Sequence, residues 1–292
     1  MKQPDFLCVG AAKAGTTTLH ETLRRHPSIW LPATKELHFF DDDHSYRKGI
    51  SHYRAYFEFA PHGAMIGEVT PAYMTYDYVP ERIYESLGPQ TKLIFSLREP
   101  VARAYSEYLH NHRRGLVQGE FCEAMEREFR ETSKSPWHKR HFSFLSRGHY
   151  AQQINRFLQY FPRKNMFFIV VEEDLDRNHR STFARLFEFL GVDPIDVGEA
   201  RNFNRAYVPR SSVVQRWLFS NNRLRRTARQ LIRNQSLRTE IRRVIMKANA
   251  HSSSPELLDS ATSRDLQIRY FREEISDLEQ VIGRSLRAWT IE

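Results

Sequence analysis

Four apolar residues, Phe6 to Val9, run directly into Gly10-Ala11-Ala12-Lys13-Ala14-Gly15-Thr16-Thr17-Thr18-Leu19. An apolar run of this length reads as a short buried strand. The small residues allow a tight turn, and Thr16 to Arg25 has the composition of a helix. Strand, glycine-bearing turn and helix start together make an anion site. The first amides of a helix lack partners within it, and the dipole is positive at that end. For this loop alone, the competing account is a plain Gly/Ala turn with a solvent-facing lysine.

The spacing Gly10-x4-Gly15-Thr16-Thr17 resembles a Walker A loop, but Thr16 stands where that loop has its lysine. An ATP-dependent phosphotransferase needs that lysine at the β/γ-phosphates and the following hydroxyl on Mg²⁺. Lys13 instead lies early in the loop, with hydroxyls at the helix start. In this the stretch is similar to the 5′-phosphosulfate loop of sulfotransferases that use 3′-phosphoadenosine 5′-phosphosulfate (PAPS).

A second motif points the same way. Lys92 to Leu97 is an apolar run expected to form a buried parallel strand, and it leads into Arg98-Glu99-Pro100-Val101-Ala102-Arg103-Ala104-Tyr105-Ser106. Pro100 suits a helix start, because its missing N–H costs nothing there. Arginine at the strand end and serine two turns into the helix suit one anion, the first through a forked charged contact. The Arg-x7-Ser string resembles the 3′-phosphate motif of the same family. A bare helix start would explain Pro100 and leave the rest of the string unexplained.

Two carboxylates are candidates for acid–base chemistry. Glu36 lies in Lys35-Glu36-Leu37-His38-Phe39-Phe40-Asp41, and Glu68 ends the expected strand Met65–Val69 before Thr70-Pro71-Ala72-Tyr73. The bland reading of the first is a loop whose Phe pair plugs the core while its charges meet solvent. The string resembles the Lys-Glu-x-His-Phe-Phe segment of the heparan sulfate sulfotransferase-like group, where the glutamate is taken as general base. The second resembles a Glu-Lys-Ser/Thr-Pro-x-Tyr run at the acceptor edge, with Val69 in place of the lysine.

Composition bounds the partners. The 292 residues carry a formal net charge of +9, which favours anionic ligands. From Arg216 to Lys247 there are ten Lys/Arg and one acidic residue, Glu240, with apolar residues at helical spacing. A solvated helix face is the default account, and a flap toward an anionic or membrane-borne acceptor is the other. No nucleic-acid motif accompanies the charge, so no nucleic-acid partner is expected. Two cysteines, Cys8 and Cys122, make no disulfide framework. With no signal-like or membrane-length apolar run, the expectation is a soluble cytoplasmic protein. No metal-ligand cluster is read.

Further along, Glu120–Glu131 and Thr182–Leu190 read as helices, Met166–Val171 as another strand, and Gln267–Ile282 as a long amphipathic helix. The resemblance runs from Phe6 to about Trp289. It implies a single domain over 1–292 with an α/β, P-loop NTPase-like sulfotransferase fold: a central parallel sheet flanked by helices, with extra C-terminal helices and a basic segment at about 212–250.

It also implies PAPS as cofactor and PAP as product. Glu36 would be the general base, with Glu68 as alternative and His38 orienting Glu36 or the acceptor. Lys13 would sit at the departing phosphate oxygen. Ala14, Gly15, Thr16, Thr17 and Thr18 would hold the 5′-phosphate, and Arg98 with Ser106 the 3′-phosphate. Arg210 and Ser211 stand where the family has a loop over the nucleotide, though a capped helix start accounts equally well for the serine. The competing functions are an ATP-dependent phosphotransferase and a non-catalytic basic module.

Overall fold

The structure is a computed structural model, and it describes residues 2–114, 116–130, 143–198, 208–209, 244, 250–251 and 258–289. Arg210, Ser211 and all of the basic 216–247 segment except Val244 lie outside the described residues. Chain contacts cluster into two units. The first is Met1–Arg103, Ser146–Asn204 and Ser260–Glu292, and the second is Ala104–Leu145 and Arg205–Asp259.

A five-stranded sheet forms the first unit. Its strands are β1 (Phe6–Gly10), β2 (Ile29–Trp30), β3 (Met65–Val69), β4 (Lys92–Leu97) and β5 (Met166–Val170), in the order β2-β3-β1-β4-β5. All neighbouring pairs are parallel. Parallel strands covered on both faces read as continuous apolar runs, which is how FLCVG and KLIFSL look in the sequence. Successive residues feed opposite cores. Leu7 and Val9 pack with Leu93, Phe95 and Leu97, while Phe6 and Cys8 pack with Val69, Ile94 and Ile169.

Helices cover the faces. The sequence expectation of a helix from Thr16 is met by α1 (Thr16–Leu23). The aromatic-rich stretch after Tyr46 splits in role: Tyr53 and Phe57 are fully buried, whereas Phe59 is 82% exposed. The long C-terminal helix runs from Ser260 to Ile282, seven residues earlier than Gln267, and buries Phe271, Leu278 and Ile282. No helix among the described residues is long and apolar enough to cross a membrane.

In the second unit lie most of the helix Pro100–Arg113 and the helix Phe121–Arg130. There the Tyr108 hydroxyl donates to the Gly119 carbonyl at 2.6 Å, and the Leu145 amide donates to Glu128 at 2.7 Å.

One charged residue sits inside the first core. Glu68 on β3 is 1% exposed and accepts hydrogen bonds from three hydroxyls: Thr70 at 2.6 Å, Tyr73 at 2.9 Å, and Tyr53. Burial raises its pKa above the ordinary 4.5, and the three donors only partly oppose that rise. The same burial pushes the Tyr53 and Tyr73 hydroxyls well upward, so both remain donors.

Two outcomes follow from this packing. Gly67 faces the Phe6 ring so closely that an added Cβ would fall inside it. Gly67→Ala should therefore lower stability by about 1–3 kcal/mol in urea denaturation; an unchanged midpoint would contradict the packing. The raised Glu68 pKa means the folded state holds this proton more tightly than the unfolded chain does. Its stabilising contribution is present below pH 4.5 and is lost as pH rises through the folded value. Denaturation midpoints from pH 4 to 8 should show wild type losing stability relative to Glu68→Gln as pH rises. Parallel profiles would contradict the assignment.

Candidate active site

The loops that carry Lys13, Glu36 with His38, and Arg98 leave the carboxyl ends of β1, β2 and β4, where open α/β sheets bind ligands. Strands β3 and β2 lie to one side of β1, and β4 and β5 to the other, so the loops diverge at its end.

The β1 loop is clamped from several sides. The Ala11 amide donates to the Ser96 carbonyl at 2.6 Å, and the Ser96 hydroxyl donates to the Ala14 carbonyl. An added Cβ on Gly10 would lie 2.5 Å from Met74 Cβ. Gly15, the N-cap of α1, has φ 72°, a left-handed conformation that glycine adopts without strain. No side chain caps α1 and no acidic residue lies in its first turn. Its leading amides, at Thr16, Thr17 and Thr18, therefore suit an anion.

Arg98 follows β4, and its Nη1 donates to the Lys13 carbonyl at 3.4 Å. The arginine is placed by its neighbours. Its own carbonyl accepts from the Tyr150 hydroxyl at 2.9 Å. The next residue, Glu99, caps the following helix by accepting from the Val101 and Ala102 amides at 3.0 and 2.6 Å. Half-buried Glu172 accepts from the Glu99 amide at 3.0 Å and from the Trp289 indole at 2.7 Å. Burial raises the Glu172 pKa. Ser106 lies on the same helix as Pro100, in its second-unit part.

The acceptor-side loop reaches the β1 loop through one cation. Lys35 Nζ donates to Thr17 Oγ1 at 3.2 Å and to Glu36 Oε1 at 3.1 Å. His38 Nε2 lies 3.8 Å from Glu36 Oε2, and His38 Nδ1 lies 2.8 Å from Asp41 Oδ2. With Asp41 accepting from Nδ1–H, the ring is fixed and its Nε2 edge lies beside Glu36, beyond hydrogen-bond distance. Glu36 and His38 have φ of 60° and 51°, a left-handed backbone that L residues seldom adopt and that clusters at functional sites. The Glu36 amide donates to the Val69 carbonyl at 3.2 Å, and the Phe39 amide to the Tyr73 hydroxyl at 3.1 Å.

The site thus joins Lys13, the Gly15–Thr18 turn, Arg98, Glu36 and His38. Glu68 lies instead in the core beneath the acceptor-side loop, while Val69 is 2% exposed in the opposite core. Sequence reasoning passed over Lys35 and Asp41. The only signal for either was its place beside the Glu-x-His-Phe-Phe string. Cys8 is no nucleophile here, since burial pushes its thiol to about 12.

Comparison with known proteins agrees with this geometry. The model of the sulfotransferase domain family matches residues 3–266. Heparan sulfate glucosamine 3-O-sulfotransferase 5 of Mus musculus is 41% identical over 105 residues, 36% of this chain and 30% of that protein. Heparan sulfate glucosamine 3-O-sulfotransferase 6 of Homo sapiens is 31% identical over 201 residues, 69% of this chain and 56% of that protein. The chain therefore spans between about a third and somewhat over half of these relatives. A sulfotransferase structure from Alicyclobacillus acidocaldarius shares the fold, with TM-score 0.67, 23% identity and 99% of each chain covered. With its P-loop α/β sheet and a family match over most of its length, this chain belongs to the sulfotransferase family.

Proposed function

We propose that the chain moves a sulfuryl group from PAPS to a hydroxyl or amine of an acceptor. Carbohydrates lead that acceptor class, with glycolipids and small metabolites alongside. The supporting observation is that an uncapped helix start flanked by Lys13 and Arg98 shares one sheet edge with the Glu36 carboxylate, the two linked through Lys35. The residues present fit the cofactor's charge. The leading amides of α1 suit its 5′-phosphate, and the Arg98 guanidinium suits its 3′-phosphate.

When bound, PAPS supplies the sulfuryl group and a phosphate leaving group. Glu36 takes the proton from the acceptor, and His38, fixed by Asp41, lies beside that carboxylate and orients the acceptor. Lys13 sets positive charge at the nucleotide loop, where charge builds in the transition state rather than in the ground state. Glu68 acts from the core: Tyr73 donates to it and accepts from the Phe39 amide, which places the acceptor-side loop. Cys8 and Cys122 form no disulfide, which suits the reducing, cytoplasmic setting we propose.

Radiolabelled transfer from PAPS to glucosamine-containing oligosaccharides tests the reading. Glu36→Gln should cut kcat by about 10²-fold or more with little change in PAP affinity, because only the proton acceptor is lost. Arg98→Ala should weaken PAP binding by about 10- to 100-fold, the worth of a charged hydrogen bond. Full activity in Glu36→Gln, with Glu68→Gln dead, would move the base to Glu68.

A further inference from the structure

The Lys35 side chain links the first turn of α1 to the carboxylate base. Lys35 and Glu36 side chains are 23% and 42% exposed, so their ion pair adds little to stability. An ammonium has three N–H donors and no acceptor. Two of the three go to Thr17 Oγ1, on the first turn of α1, and to Glu36 Oε1.

Glu36 is held at two points. Its amide is tied to β3 through the Val69 carbonyl, and Oε1 is held by Lys35. Without the lysine, a carboxylate this exposed would lose the bridge to Thr17 and sample more rotamers. In-line transfer needs the acceptor oxygen and the nucleotide within about 3–3.5 Å of a reacting line, so the base must be registered to the loop.

We propose that Lys35 is a positioning residue that registers the general base Glu36 to the nucleotide loop through Thr17; this rests on the sulfuryl-transfer reading above. In the transfer, the acceptor oxygen forms its bond to sulfur as the bond from sulfur to the nucleotide phosphate oxygen breaks. The electron pair of the broken bond stays on that phosphate, and the acceptor proton passes to the Glu36 carboxylate. Lys35 makes and breaks no bond. It acts by holding Glu36 where that proton arrives.

A double-mutant cycle separates this from a structural role. Radiolabelled transfer from PAPS to a glucosamine-containing oligosaccharide would be measured for wild type, Lys35→Met, Lys35→Arg, Glu36→Gln and the Lys35→Met/Glu36→Gln double variant. PAP affinity would be measured by calorimetry and folding by thermal denaturation. Lys35→Met should lower kcat by about tenfold through lost registration, with the melting temperature unchanged. PAP affinity should stay within about twofold of wild type, and Lys35→Arg should recover part of the rate. In the Glu36→Gln background the same substitution should cost about twofold or less, because the group it positions is gone. An equal loss in both backgrounds, or a fall in PAP affinity matching the fall in kcat, overturns the proposal. A wild type that binds PAP and transfers nothing overturns both the proposal and the reading beneath it.

Discussion

A carboxylate buried in an apolar core is costly unless its oxygens are met by donors, and three hydroxyls meet those of Glu68. The arrangement does more than offset the cost. Tyr73 donates to Glu68 and, through the other side of the same oxygen, accepts from the Phe39 amide. Phe39 and Phe40 are buried beside Tyr53 and Tyr73, stacking on or meeting their rings edge-on. Strand β3 therefore fixes the position of a loop that has little regular structure of its own. That loop carries Glu36, His38 and Asp41. Loss of a hydroxyl from this knot would leave buried acceptors unsatisfied and free the loop at once.

The nucleotide side of the site is held in a different way, by close backbone approach and by the C-terminal part of the chain. Gly10 lies against Met74, and an added Cβ on Gly15 would meet Leu175 at 2.8 Å. Leu175 belongs to a turn of π-helix, Val171–Leu175, that continues β5. Arg284 pairs with Glu173 and Asp174 of that turn, and Trp289 with Glu172. Glu172 in turn holds the peptide after Arg98. The last helix and its tail thus help set the arginine proposed for the 3′-phosphate, although they are far from it in sequence.

Much of this was legible in advance. Four strands were expected, and the structure places them at Phe6–Gly10, Met65–Val69, Lys92–Leu97 and Met166–Val170. Strand pairing leaves no such trace, and the order with β1 in the middle came only with the structure. Glu36 and Glu68 were equivalent as letters. Glu68 lies on a strand covered on both faces and is buried, whereas Glu36 lies on a loop at the sheet's edge and is half-exposed. Lys35 and Asp41 were missed because their roles lie in contacts through space, to Thr17 and to His38. The expected strand ran one residue too far, to Val171, which continues its apolar run but opens the π-helical turn. Trp289 marked only the end of the family resemblance; in the structure it is buried, and its indole N–H donates to Glu172.

The account stands most directly on what the β1 loop binds. Calorimetric titration of the wild-type chain, in buffer with excess chelator, would compare PAP, adenosine 5′-monophosphate and ATP, with a further ATP titration in Mg²⁺. The account predicts one PAP per chain, binding tighter than adenosine 5′-monophosphate by about 10-fold or more for the added 3′-phosphate contact, and weaker binding of ATP with or without Mg²⁺. ATP with Mg²⁺ binding more tightly than PAP, or PAP and adenosine 5′-monophosphate binding alike, would contradict it.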